Sequence, residues 1–350
     1  MAGKLAIFRF DAGPSIGLGH AVRCGALADV LAAAGWRIGL ALGPESLAAA
    51  PRLSESGYDI ETLDGADETR ALINRWPGGC DLLVVDHYGR SAAFEREARP
   101  WARLVLALDD SPNRQHDCDL LLDPAARPEE RTYEPLSARG TRLLLGPQYA
   151  LLRRSFIERR EASLARHRTA GKVRRMLVGL GATDPADLTS RVIESVAAAV
   201  PGAAIDILLG KAAPHLDRVR SRIAGRPGMR LLLDPPDVAD IMAAADLAVG
   251  AAGSTSFERA CLGLPGVSLV VASNQESIAG LLHERGAACV IDGRSGDPAP
   301  EIGRALRELA GDDARRRRMS EAGASIADGQ GAERVRVAVE AAIIARHPEP

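Results

Sequence analysis

Short apolar runs, each followed by a helical pattern, occur in two series along this chain, and no other feature limits its fold so strongly. In the first series the runs are Leu5–Phe10, Arg37–Leu42, Asp81–Val85, Leu104–Leu108, Leu120–Leu122 and Arg142–Leu145. In the second they are Arg175–Leu180, Ala204–Leu209, Met229–Leu232, Leu247–Val249, Val267–Val271 and Ala288–Ile291. Helical periodicity fills His20–Ala34, closed by Gly35, and Leu188–Val200. Apolar strands alternating with helices predict parallel sheets covered on both faces. Between the series lies "RRSFIERREASLARHRTAGKVR", Arg153–Arg174, charged and without strand signal. The pattern therefore predicts an α/β chain of two domains, 1–155 and 173–345, joined by a partly helical linker at about 156–172. A charged helical tail, Asp312–Ala345, is expected to pack back on the body.

The length, 350 residues, suffices for two cores. A net charge of −2 gives no electrostatic footprint for nucleic acid or for a polybasic membrane patch. Aromatic residues are only 3%, which argues against a base-stacking surface. The five cysteines, Cys24, Cys80, Cys118, Cys261 and Cys289, are widely spaced and form no CxxC pair, as expected of free thiols in a reducing compartment rather than a zinc cluster. The apolar run in "MAGKLAIFRFDAG" is too short for a signal peptide, and no stretch approaches the roughly 18 apolar residues of a membrane span. The expectation is a cytoplasmic protein.

Ligands of open α/β sheets bind beyond the carboxyl ends of the strands. Small, polar and titratable residues cluster at those ends: Asp11–His20, Asp86-His87-Tyr88, Asp109-Asp110, Gly179–Asp184, Gly250–Glu258 and Ser273-Asn274-Gln275. In "GPSIGLGHA" a Gly-x-Gly turn, Gly17 to Gly19, opens into a helix at His20. The third glycine of GxGxxG and a Walker lysine are both missing, so a dinucleotide or P-loop site does not follow. In "VGAAGSTSFERACLGLPGVSLVVASNQ", Gly250, Gly253 and Ser254 follow a strand and precede a helix. Amides at such a helix start, with the Ser254 and Thr255 hydroxyls, can receive phosphate. Glu258, one turn on, reads either as an acceptor for a ribose diol or as a capping-box partner of Thr255.

Six motifs follow in order: "DAGPSIGLGHAVRCGALADVLAAAGW", "VVDHYG", "LDDSPNRQHDCDLLLDP", "LLGPQYALLRRSF", "GATDPADLT" and "GAAGSTSFERACLGLPGVSLVVASNQ". In combination, over about residues 4–300, they resemble the UDP-2,4-diacetamido-2,4,6-trideoxy-β-L-altropyranose hydrolases of pseudaminic acid biosynthesis. That family is similar to the glycosyltransferase that makes lipid II and shares its GT-B fold of two facing Rossmann-like domains. The resemblance implies that water displaces UDP from C1 with inversion, releasing UDP and 2,4-diacetamido-2,4,6-trideoxy-L-altrose, in a pathway that feeds flagellin glycosylation. It implies that His20 is the general base. An imidazole at a helix N-terminus meets the positive end of the dipole, which favours its neutral, proton-accepting form. Gly17 and Gly19 leave room for close approach.

By motif position, Glu258 matches the acidic residue holding the ribose, and Asn274 and Gln275 match a pair near the sugar or phosphates. Val238, in "PPDVADIM", falls where related folds clasp uracil, and Tyr88 matches a residue facing the sugar or is an amphipathic wall. His87 is a second histidine candidate, and Arg23 either reaches the pyrophosphate or solvates its helix. Phosphate contacts also fall on Gly181 and Thr183, in "GLGATDP", where Ala182 replaces a glycine of the family pattern. Ala251 and Ala252 likewise stiffen the "GAAGST" turn. UDP is a good leaving group whose charge can rest on amides and hydroxyls, so no metal or other cofactor is expected. Asp109-Asp110 reads as a turn and strand end, with a metal-binding DxD-like pair as its competitor. The expected partners are a UDP-sugar and water, the expected state a monomer. Two alternatives stay open: a GT-B glycosyltransferase, and a non-catalytic nucleotide-sugar-binding protein.

Overall fold

The computed structural model describes residues 3–13, 16–65, 67–127, 131–169 and 171–346. The chain forms two compact units, Met1–Arg153 with Gln330–Pro350, and Arg154–Gly329. In the first, β1 (Leu5–Phe10), α1 (Gly19–Ala33), β2 (Arg37–Leu42), α2 (Ser46–Ala49), α3 (Arg52–Glu55) and β3 (Asp59–Thr62) are followed by α4 (Glu68–Arg75), β4 (Leu82–Asp86), α5 (Ala92–Ala98), β5 (Val105–Leu108), β6 (Leu120–Asp123) and β7 (Arg142–Leu145). In the second, α6 (Arg154–Arg168), β8 (Arg175–Gly179), α7 (Leu188–Ala199), β9 (Ala204–Leu209), α8 (Leu216–Ile223), β10 (Met229–Leu233) and α9 (Val238–Ala244) precede β11 (Leu247–Ala251), α10 (Thr255–Cys261), β12 (Gly266–Val270), α11 (Glu276–Glu284), β13 (Cys289–Asp292), α12 (Ala299–Gly311) and α13 (Asp313–Ile326). The last helix, α14 (Gly331–Arg346), belongs to the first unit.

Both sheets are parallel, ordered β3-β2-β1-β4-β5-β6-β7 and β10-β9-β8-β11-β12-β13. Alternation along β1 explains the layering. Ala6, Phe8 and Phe10 pack with Leu27 and Leu31 of α1 on one face, while Ile7 joins Trp76, Leu83 and Val105 on the other. Two apolar faces leave the strands no solvent side, hence their predominantly apolar runs. In each sheet the strand order reverses beside the first strand of the unit, between β1 and β4 and between β8 and β11. Those switch points are where a crevice opens at the carboxyl ends.

Three expectations need correction. The stretch read as a linker from 156 to 172 contains α6, which is a packed part of the second unit. Phe156 is fully buried, the Ser163 hydroxyl donates to the Leu262 carbonyl at 2.8 Å, and Arg160 donates to the Ala324 and Ala327 carbonyls at the end of α13. Arg160, and Arg166 through the Ala243 carbonyl at 3.0 Å, thus serve helix ends, whose carbonyls carry negative partial charge, rather than water. The tail assigned to a domain of 173–345 divides near Gly329, and α14 returns to the first unit. There Val335, Ala338, Val339 and Ile343, spaced as one helical face, complete the core around α1. Strand β3 was missed because "DIET" is a half-buried edge strand with a single large apolar residue.

Candidate active site

The first switch point gathers the titratable residues. Gly17 has φ +82°, the left-handed region that glycine enters without strain, and its N–H donates to the Gly13 carbonyl at 2.7 Å. That closes a loop against the start of α1; Pro14 and Ser15 within it lie outside the described residues. Leu18 is the N-cap and provides no side-chain cap, and the first turn of α1 carries no acid. Gly19 and His20 therefore begin a helix whose positive end is not neutralised by its own residues.

His20 is buried, with Nδ1 2.6 Å from Oδ1 of Asp86, the last residue of β4. A carboxylate only accepts, so Nδ1 carries a proton, and in the neutral imidazole Nε2 keeps its lone pair. Among the described residues no hydrogen bond engages Nε2. Asp86 is fully buried and is gripped by Arg23, from Nε at 2.6 Å and from Nη2 at 2.5 Å. Burial alone would raise the Asp86 carboxyl, but the Arg23 guanidinium and His20 hold it far below the usual carboxylate range. Arg23 also donates to Asp110 at 2.8 Å. It bridges two carboxylates.

Tyr88 stands edge-on to the His20 ring, with centroids 5.0 Å apart, and its hydroxyl donates to Asp110 at 2.9 Å. Its side chain is 43% exposed, so its ring forms an open wall next to the imidazole. His87 points elsewhere. Its Nε2 lies 2.9 Å from Asp11 Oδ2, and the Gly89 N–H donates to Nδ1 at 2.9 Å. Nδ1 accepts, so Nε2 donates, and both ring nitrogens are occupied. Between the two histidines, only His20 presents an unengaged nitrogen.

Asp109 and Asp110 both have cationic partners: Arg114 on Asp109 at 2.7 Å, Arg23 on Asp110. Asp109 also accepts from the Ser111 N–H at 3.3 Å, as in an Asx turn. Behind Asp109, His116 lies with Nδ1 2.7 Å from Glu95 and Nε2 3.5 Å from Asp109. Burial would lower this imidazole, but Asp109 and Glu95 raise it to about 9. Glu95, His116 and Cys118 have donor atoms close enough to share a metal ion, though the imidazole and carboxylate already satisfy one another.

The second unit presents a different chemistry at its switch point. Gly179 and Gly250 are register partners on β8 and β11, so the loops that follow both strands emerge side by side. Gly181, at φ +115°, and Thr183 occupy one loop; Gly253, Ser254 and Thr255 occupy the other, with both hydroxyl residues exposed. Asp184 accepts from the Leu188 and Thr189 N–H groups at 3.0 and 2.7 Å and so caps α7. Gln275, after β12, is next to Gly253, where a Cβ would lie 3.5 Å from its Nε2; its Oε1 accepts from the Val271 N–H at 3.0 Å. Asn274 is exposed beside it. Glu258 is buried in α10, whose N-cap Ser254 makes no side-chain cap bond. Val238 opens α9 after β10, the edge strand, with β9 between it and β8. Anion-binding residue types thus collect at β8, β11 and β12, and Val238 stands apart from them.

Sequence reasoning missed Asp86 as the partner of His20. The motif "VVDHYG" marked it as a strand end, but only the pairing of β1 with β4, Phe10 opposite Asp86, brings it beside α1. The grip of Arg23 on Asp86 and Asp110 was missed for the same reason.

Two parallel-sheet α/β units in sequence, each with polar loops at its switch point, are the GT-B fold. Solved structures agree over nearly the whole chain. MurG of Acinetobacter baumannii matches with a TM-score of 0.63 at 15% identity, covering 97% of this chain and 99% of that one. The UDP-GlcNAc 2-epimerase of Neisseria meningitidis, bound to UDP-GlcNAc, matches with a TM-score of 0.64 at 10% identity, covering 96% and 100%. No family model matches. Among curated proteins, the chain is similar to the spore coat polysaccharide biosynthesis protein SpsG of Bacillus subtilis, 32% identical over 152 residues, 43% of each chain. It is similar to the uncharacterized protein MJ1062 of Methanocaldococcus jannaschii, 23% identical over 76% of this chain and 55% of that one. A third relative, 26% identical over 59% of this chain and 72% of its own length, is the UDP-2,4-diacetamido-2,4,6-trideoxy-beta-L-altropyranose hydrolase of Campylobacter jejuni. The matches thus span about half the length of the first two relatives. No helix among the described residues is long and apolar enough to cross a membrane.

Proposed function

We propose that this chain hydrolyses a UDP-sugar at C1 with inversion, releasing UDP, and that the sugar is 2,4-diacetamido-2,4,6-trideoxy-β-L-altropyranose. The observation that carries the reaction class is the His20–Asp86 pair. A buried imidazole, protonated on Nδ1 by its hydrogen bond to a carboxylate and unengaged on Nε2, is built to take a proton from water. In the proposed step a water oxygen attacks C1, its proton passes to His20 Nε2, and the C1–O bond to UDP breaks on the opposite side. Asp86 stabilises the imidazolium that forms. Tyr88 faces the sugar. Arg23 positions Asp86 rather than contacting phosphate. Gly17 and Gly19 admit the reacting atoms.

The nucleotide belongs on the second unit. Gly181, Thr183, Gly253, Ser254 and Thr255 offer amides and hydroxyls to the diphosphate, Glu258 accepts from the ribose, Asn274 and Gln275 lie beside them, and Val238 meets uracil. Asp109 and Asp110 carry arginine partners, which supports a reaction that needs no metal there. The sugar identity rests on the ordered motifs and on the similarity to the Campylobacter jejuni hydrolase.

A second reading, transfer of the sugar from UDP to an acceptor, is favoured by the fold likeness to MurG over 97% of the chain. The two separate in one assay: UDP release from candidate UDP-sugars with and without acceptors, run in ¹⁸O-water. Hydrolysis at C1 releases UDP without acceptor and places the label on the sugar. Release that requires an acceptor would replace hydrolysis with transfer, and label in UDP would move the attack to phosphorus. No turnover with any UDP-sugar, alongside tight UDP binding, would leave a binding protein.

A further inference from the structure

Among the described residues three arginines are buried: Arg9, Arg259 and Arg316. Arg9 pairs with Glu68 and Asp11, and Arg316 with Asp313. Arg259, only 7% exposed on α10, forms no ion pair with a carboxylate among the described residues. Its Nη2 donates to the Ala251 carbonyl at 2.9 Å, the Ser256 hydroxyl at 2.9 Å and the Ser268 hydroxyl at 3.1 Å. Its Nη1 donates to the Thr255 hydroxyl at 3.3 Å. Every acceptor is neutral. Burial lowers this guanidinium to about 10, against the opposing pull of the neighbouring Glu258 carboxylate, so it still carries its charge at neutral pH. Neutral dipoles solvate a buried cation but do not cancel it.

The backbone is arranged to admit this charge. Gly250 pairs with Ser268 across β11 and β12, and a Cβ at residue 250 would lie 2.2 Å from Arg259 Nη1. Any side chain there would expel the guanidinium from under the loop. The charge thus lies directly beneath Ala251 to Thr255, the loop whose outer surface exposes the Ser254 and Thr255 hydroxyls. A hydroxyl has one hydrogen and two lone pairs. Because the Thr255 oxygen accepts from Arg259, its hydrogen remains free to donate outward.

We propose that Arg259 is a positioning residue for anion recognition: it turns the Thr255 hydroxyl into an outward donor and is the buried counter-charge for the diphosphate of a nucleoside diphosphate on this loop. This rests on the nucleotide-binding reading above. In a low-dielectric interior the attraction acts through one side chain without direct contact. The phosphates then add negative charge above a cation whose own hydrogen-bond acceptors are all neutral.

Calorimetric titration of UDP and of uridine against the wild type, Arg259→Gln, Thr255→Val and the double variant tests this. Arg259→Gln is expected to weaken UDP by about 10- to 100-fold, the scale of a lost charged hydrogen bond. Uridine, lacking phosphate, should bind all four proteins alike. The double variant should be no weaker than the worse single, because both changes remove one shared interaction. A folded Arg259→Gln that binds UDP like the wild type overturns the proposal. Equal losses for UDP and uridine overturn it too, leaving Arg259 as fold support. If Arg259→Gln does not fold, Thr255→Val decides: UDP weakened with uridine unchanged supports the proposal, and unchanged UDP overturns it. Absence of UDP binding by the wild type would instead refute the nucleotide reading itself.

Discussion

Replacing Asp86 with asparagine tests the proposed base most directly, because it keeps the shape of the pair and removes its logic. Asp86 accepts the Nδ1 proton of His20 at 2.6 Å. An asparagine amide can offer N–H to Nδ1 instead, which moves the imidazole proton to Nε2 and blocks the atom that should accept from water. In the worked serine-protease case the same change costs a factor of about 10⁴ in turnover. Here a loss of about 10²–10⁴ is expected, the range for losing a general base. The variant also strips Arg23 of the carboxylate it holds at 2.5 and 2.6 Å. Breaking a buried ion pair costs ~3–5 kcal/mol, and Arg23 keeps Asp110 at 2.8 Å, so the low end applies. About 3 kcal/mol lowers melting by roughly 6–12 °C for a unit of this size. The sign with pH follows from the depressed Asp86 carboxyl. Its contribution is fully present above the unfolded value of about 3.9 and is lost as pH falls below it. The melting difference between wild type and variant should therefore be constant at neutral pH and close in acid. The assay is single-turnover UDP release well below the melting point, with UDP affinity measured in parallel. Turnover within a few-fold of wild type by a folded Asp86→Asn protein would refute the dyad.

The remaining expectations are separate. Glu258→Ala should weaken UDP by about 1–3 kcal/mol; calorimetry showing unchanged affinity with a lower melting temperature would assign Glu258 to capping. Hydrolysis should persist in excess EDTA, and activity lost there and restored by Mg²⁺ would bring Asp109 and Asp110 into the chemistry. His87→Asn should leave turnover near wild type while lowering stability through Asp11, whereas His20→Asn should lose about 10²–10⁴ in rate with UDP affinity intact; the reverse pattern would exchange their roles. His116, raised to about 9, stabilises fully below its unfolded value of about 6.5, and that stabilisation fades as pH rises through 9. Melting should fall over that interval, and His116→Gln should flatten the curve.

Much of the architecture was legible because a parallel strand buried on both faces needs a predominantly apolar run, which shows in one dimension. β1, β2, β8 and β9 were visible in this way, and so was the glycine-rich start of α1. β3 was not, since an edge strand needs no such run. The misreading of α6 had a related cause. Charge is read as solvent exposure, yet Arg160 and Arg166 spend theirs on carbonyls of neighbouring elements. For α14, its amphipathic face was plain, but nothing local says which of two similar cores it completes.

The sequence by itself determined that His20 follows a glycine turn, that Tyr88 and Asp109-Asp110 follow strand ends, and that Ser254 and Thr255 open a helix. These are properties of neighbours along the chain, governed by turn and capping chemistry. Only the tertiary structure decided which partners those residues meet. Parallel pairing sets Asp86 of β4 opposite Phe10 of β1, 76 positions apart, and so places a carboxylate on His20, while Asp11 and Gly89 occupy both nitrogens of His87. Strand order likewise lays Ser268 beside Gly250 and seats Arg259 beneath its loop. A hydrogen bond depends on a few ångströms of space, and residues far apart in sequence acquire that proximity only when the sheet assembles.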